Sequence, residues 1–100
     1  MIHYRAEANG GKNMKAVITV VGKDMVGILA KVSTTCSECN ANVLDVTQSV
    51  LDEYFTMVMV VDISDLNADL SAMAGKLEEK LPTMKIHVMH EDIFNAMHRI

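Results

Sequence analysis

The sequence predicts an α+β sandwich in which one four-stranded antiparallel sheet carries two helices on one face, in the order β-α-β-β-α-β. Three observations predict it. The chain has 100 residues, enough to bury one core and not two. Its apolar spacing alternates between a period of two and a helical period. The two segments that this topology places at the centre of the sheet are also the most apolar strands.

Residues 1–13, MIHYRAEANGGKN, show no sustained periodicity and hold the Asn9-Gly10-Gly11 punctuator. They read as a flexible extension, with Met14 as an alternative start and residues 14–100 as the domain. Lys15–Val21 (KAVITVV) is short and β-branched, a first strand. Gly22-Lys23-Asp24 turns the chain. From Met25 or Val26 to Cys39 the period is helical, with Leu29, Val32, Cys36 and Cys39 on one face and Asp24 as the N-cap candidate. Asn40-Ala41-Asn42 ends this helix, because Asn tolerates the left-handed backbone of a helix exit.

Val43–Leu51 alternates, with Leu44, Val46 and Val50 on one face and Asp45, Thr47 and Ser49 on the other, as in a half-buried strand. Asp52-Glu53 makes a hairpin turn into Tyr54–Ile63. Asn67 is placed as the cap of a second helix, whose stripe is Leu70, Met73, Ala74, Leu77 and Leu81, and Pro82 stops it. Met84–His90 is the fourth strand, with Met84, Ile86 and Val88 inward. Asp92–Arg99 reads as a short helix with Ile93, Phe94 and Met97 on its apolar side. Two right-handed crossovers around a central hairpin give the ferredoxin-like βαββαβ sandwich, with strand order 4-1-3-2.

Half of the residues are hydrophobic, yet only four are aromatic and nine are Met; the net charge is −4. An acidic chain without a Lys/Arg cluster lacks the footprint of a nucleic-acid binder. The longest apolar run, Met57–Val61, is far short of the roughly 20 residues of a membrane helix. Two cysteines make no disulfide framework. The expectation is a reduced, cytoplasmic domain with no nucleic-acid or membrane partner.

The excess of apolar residues has a location. Helices cover one sheet face, so the other should be polar. Instead, Val58 and Val60 oppose Met57, Met59 and Val61, and Val17 and Val21 oppose Ile18 and Val20. Burying a Val or Met stabilises by roughly 1.5–3 kcal/mol relative to exposure. A second subunit is therefore expected over the bare face or a sheet edge.

The run Val20-Val21-Gly22-Lys23-Asp24-Met25-Val26-Gly27-Ile28-Leu29-Ala30-Lys31-Val32 resembles the first strand, loop and helix of an ACT domain. Asn42-Val43-Leu44-Asp45-Val46-Thr47-Gln48 resembles its second-strand start. The segment 14–100 is similar to small stand-alone ACT proteins and to the ACT modules of glycine-cleavage regulators and formyltetrahydrofolate deformylase. The resemblance implies a regulatory module without catalytic machinery or cofactor, binding an amino acid between two copies. It places Asp24, Met25, Val26, Gly27, Ile28 and Asn42 around that ligand. The chemistry is compatible: free N–H groups at a helix start suit a carboxylate, Asp24 suits an ammonium, and Asn42 donates and accepts. Each residue also has a plainer role. Asp24 can be only a cap, Gly27 only a packing residue, and Asn42 only a helix exit.

Other groupings point away from chemistry. Cys36-Ser37-Glu38-Cys39 is a CxxC late in a helix and on its apolar face, so it reads as core. His87 and His90 are three apart on a strand and point to opposite faces. No Ser/His/Asp set, phosphate loop or acid pair supports an enzyme, and no metal site is expected. Two functions follow: a homo-oligomeric amino-acid sensor signalling to a separate effector protein, or a structural interaction module with no ligand.

Overall fold

The computed structural model describes residues 14–23 and 26–97. The extension read over residues 1–13 lies outside them. The elements are β1 (Lys15–Gly22), α1 (Ile28–Glu38), β2 (Asn42–Leu51), β3 (Tyr54–Asp62), α2 (Leu70–Lys80), β4 (Lys85–His90) and α3 (Glu91–Met97). The sheet order is β2-β3-β1-β4, and every neighbouring pair is antiparallel. This is the ferredoxin-like arrangement expected from the sequence.

The register sorts the side chains into two faces. Ile18 pairs with Met59 and Val88, and Val20 with Met57 and Ile86. These residues meet Ile28, Val32, Cys36, Met73 and Leu77 from the helices in one continuous core. α1 packs beside β2, α2 beside β4, and the helices touch each other. Met57, Met59 and Met73 are wholly buried and fill the core.

α1 starts later than its spacing predicts and faces the core differently. Its N-cap is Gly27, not Asp24, and its buried side chains are Ile28, Val32, Thr35 and Cys36. Leu29 is 41% exposed. A helix that begins at residue 28 carries the i, i+4, i+7, i+8 stripe from Ile28, so Leu29 turns outward. Buried Thr35 donates its hydroxyl back to the Lys31 carbonyl at 2.9 Å. The exit agrees with the sequence. Asn40 has φ of 65°, Ala41 N–H donates to Cys36 O at 2.8 Å, and Asn40 N–H donates to Ser37 O at 3.1 Å. That double closure is a Schellman motif with Asn in the left-handed position.

Asn67 does not cap α2. The cap is Asp69, whose carboxylate accepts from Ala72 N–H at 2.8 Å. Asn67 instead donates its side-chain amide to Glu38 O at 3.0 Å, and its backbone N–H to Cys39 O at 3.0 Å. It thus satisfies open carbonyls at the end of α1, a tertiary role that local spacing does not encode.

β2 departs from simple alternation. Val43 pairs with Val61 but Asp45 with Val60, so Leu44 is an extra residue in a bulge. Val43 and Val46 pack on the core, while Leu44 is exposed. One inserted residue inverts the parity, which is why the expected Leu44–Val46 face splits. Asp45, Thr47 and Ser49 lie on the outer face as read.

The outer face is less bare than expected. Val17 is only 2% exposed, yet it does not belong to the helix-side core. α3, which also stands outside that core, contacts β1 and β4, the strands of the Val17–Met89 pair. The chain's own α3 thus packs against the two strands at this end of the sheet. Phe94 is half-buried, whereas Ile93 and Met97 remain exposed. Val58 and Val60 are half-buried, and Val21 is exposed. Among the described residues no helix is long and apolar enough to cross a membrane.

Candidate functional site

The loop from β1 into α1 carries most of the candidate residues. Asp24 and Met25 lie outside the described residues. Val26 is 82% exposed, and Ile28 is 1% exposed, with its side chain in the core. Only the backbone of Ile28 can therefore face a ligand. Gly27 has φ 74° and ψ 4°, a left-handed conformation that disfavours any residue with a Cβ. A Cβ at Gly27 would find only Lys31 Cε, at 4.0 Å. Among the described residues only Lys31 Cε comes that near, so it is the backbone conformation that calls for glycine here. Among the described residues no side chain caps α1, and the first N–H groups of a helix suit a carboxylate.

The tight glycine is Gly22. A Cβ built there would run into the Met84 thioether. Met84 also packs against the core, so a side chain at Gly22 would require the flexible Met84 thioether to move.

Asn42 is the first residue of β2 and is exposed. Among the described residues its side-chain amide has no partner. It lines a shallow cleft of about 310 Å3 with Ser37, Asn40, Ala41 and Asp65. Asn40 Nδ2 donates to Asp65 O at 3.1 Å, fixing one wall. Sequence reading found Asn40 only as a helix exit. Asp65 gave no signal, because its contact with Asn40 spans 25 residues of chain.

Within one chain these two regions do not meet. Asn42 pairs with Asp62, which pairs with Lys15, so Asn42 lies in the row where β1 begins. Gly22 pairs with Phe55, which pairs with Val50, in the row where β1 ends. Seven residues of strand separate the rows, about 23 Å. The eleven residues of α1 span about 16 Å between the same ends. Val26, Gly27 and Ile28 are together; Asn42 is at the far end.

Cys36 and Cys39 are free and fully buried. Burial, and secondarily the nearby Cys39, pushes the Cys36 thiol up from 9.0 to about 11. A thiol held neutral this way is a poor nucleophile and a poor metal ligand. His87 pairs with Thr19 on the outer face, and His90 with Ala16 on the core-side parity, so the two diverge as expected. Among the described residues no three His, Cys, Asp or Glu groups converge on a metal position.

The comparisons with known proteins bear on the family and the fold. A UPF0237 protein of Listeria monocytogenes serotype 4b is 47% identical over 91 residues, covering 87% of this chain and all of that protein. A UPF0237 protein of Methanocaldococcus jannaschii is 41% identical over 88 residues, covering 86% of this chain and 98% of that one. Among solved structures, an ACT domain protein from Streptococcus pneumoniae superposes with a TM-score of 0.68 at 44% identity, over 85% of this chain and 98% of that chain. The family model of the ACT domain matches residues 15–91, and the chain belongs to the ACT domain family.

Proposed function

We propose that the protein is a regulatory module that binds an amino acid between two copies of itself, without catalysing a reaction. The carrying observation is the separation of Gly27 from Asn42 along one side of the molecule. β2 is an edge strand, paired only with β3. A second copy pairing antiparallel along β2 would bring its Asn42 row against the first copy's Leu51 row, beside the Gly22–Gly27 loop. Two equivalent sites would form, each with Gly27 from one copy and Asn42 from the other.

The surface supports such a neighbour. Leu51 is 78% exposed, and Val50, Leu44, Leu29 and Val26 are also open, all on β2 or at the start of α1. An uncovered edge with this composition is a pairing surface. In each site the α-carboxylate would take the free N–H groups after Gly27, and the Asn42 amide would bond the ligand from the other side. Asp24 supplies a carboxylate for the ammonium. A ligand that touches both copies favours one arrangement of the pair, and this is the signal a separate effector protein would read. The same apolar surface supports a second reading, an assembly module with no ligand.

Thermal unfolding with each of the twenty amino acids separates the two. At a ligand concentration 100-fold above Kd, binding adds about 2.7 kcal/mol to stability. The sensor reading expects at least one amino acid to raise Tm in the native chain and not in Asn42→Ala. No shift from any amino acid leaves the assembly module.

A further inference from the structure

A second concavity lies at the Gly22 end of the sheet, away from Asn42. It is an open cleft of about 510 Å3, lined among the described residues by Val21, Gly22, Lys23, Tyr54, Thr83 and Lys85. The topology builds it from three segments. Val21 and Lys85 are partners across β1 and β4, Tyr54 opens β3 beside Phe55, the partner of Gly22, and Thr83 precedes β4.

Its chemistry runs against the rest of the chain. The protein has 9 Lys and Arg against 13 Asp and Glu. Two of those lysines line this cleft, and none of its described lining residues is acidic. Lys23 Nζ sits 5.6 Å from the centre of the Tyr54 ring and 3.3 Å from Glu53 Oε2. That ion pair is exposed on both sides and so exchanges readily for another anion. Lys85 has no ion-pair partner among the described residues. Thr83 adds a hydroxyl donor, and Val21 and the Tyr54 ring supply an apolar wall. The volume is in the range of small-molecule sites, roughly 300–1,000 Å3.

We propose that this cleft binds a small organic anion with an apolar or aromatic body. The ammonium groups of Lys23 and Lys85 hold its carboxylate or phosphate, and Val21 and Tyr54 hold its body. All the described lining residues come from one chain, so the proposal does not rest on the pairing of two copies.

Two-dimensional amide NMR of the full chain tests it, using benzoate, phenyl phosphate, inorganic phosphate and the neutral benzamide as probes. The expected result is saturable shifts with benzoate or phenyl phosphate at residues 21–23, 54, 83 and 85, and none with benzamide. The tighter of the two anions identifies the head group. Lys85→Met, and independently Lys23→Met, should each weaken binding about tenfold while leaving remote resonances in place. The proposal is overturned by no saturable shift from either anion, by shifts confined to other residues, or by an equal response to benzamide. Undiminished binding in both Lys variants, or inorganic phosphate binding as tightly as phenyl phosphate, also overturns it.

Discussion

Gly27 and Asn42 stand at the two ends of one helix: Gly27 immediately precedes α1, and Asn42 comes four residues after its last residue, Glu38. α1 keeps them apart in any single chain. The apolar side chains left open between them, Leu29 on α1 and Leu44, Val50 and Leu51 on β2, lie on the side where a second copy would bring them together.

The two glycines of the β1–α1 connection should respond differently to the same substitution. Gly27→Ala puts a Cβ on a left-handed backbone, so it should cost about 1–2 kcal/mol in urea unfolding. Gly27→Asn should recover part of that loss, because Asn tolerates the conformation. Gly22→Ala should be destabilising through its collision with Met84, and Met84→Ala should relieve it. A double-mutant cycle measures this, and an additive result would contradict the packing described.

Asp69→Ala should cost about 1 kcal/mol by removing the bond to Ala72 N–H. Asn67→Ala should cost a similar amount, roughly 0.5–1.5 kcal/mol, but through the end of α1. Amide hydrogen exchange tells them apart. Asp69→Ala should loosen the first turn of α2, and Asn67→Ala the last turn of α1.

Cys36 should give the unfolding free energy a limb at high pH. Its thiol is pushed from 9.0 to about 11 in the folded chain, so the folded state holds that proton more tightly than the unfolded state. The contribution is fully present below pH 9 and is lost as pH rises from 9 towards 11. Its size is on the order of 2–3 kcal/mol. Cys36→Ala should start less stable at pH 7 and fall less between pH 9 and 11 than the native chain. Equal slopes would contradict the assignment.

The fold was legible because several local signals agreed. Val17 to Val21 and Met57 to Val61 lie in the most apolar strands, the two that the topology places at the centre of the sheet, and Asn40 tolerates the left-handed exit. What escaped the sequence was non-local or shifted parity by one residue. The Leu44 bulge is invisible to alternation until Val43 and Asp45 are seen on Val61 and Val60. Asn67 and Asp69 are equally good caps by composition; only the position of Glu38 in space decides between them. The burial of Val17 was not legible, since it faces away from the helix-side core. Of the candidate region, the loop before α1 and the start of β2 were legible. The opposite placement of Gly27 and Asn42 was not, since it depends on the direction in which β2 leaves α1.

Chemical cross-linking tests the central claim most directly. Val26→Cys and Asn42→Cys are made in separate chains, co-expressed, and treated with a short bis-maleimide. The native Cys36 and Cys39 are fully buried and stay unreactive. If two copies meet antiparallel along β2 and α1, the mixture yields a covalent dimer joining one variant to the other, and neither variant alone does. A mixture that stays monomeric, or single variants that cross-link as well as the mixture, would contradict a site shared between Gly27 of one copy and Asn42 of the other.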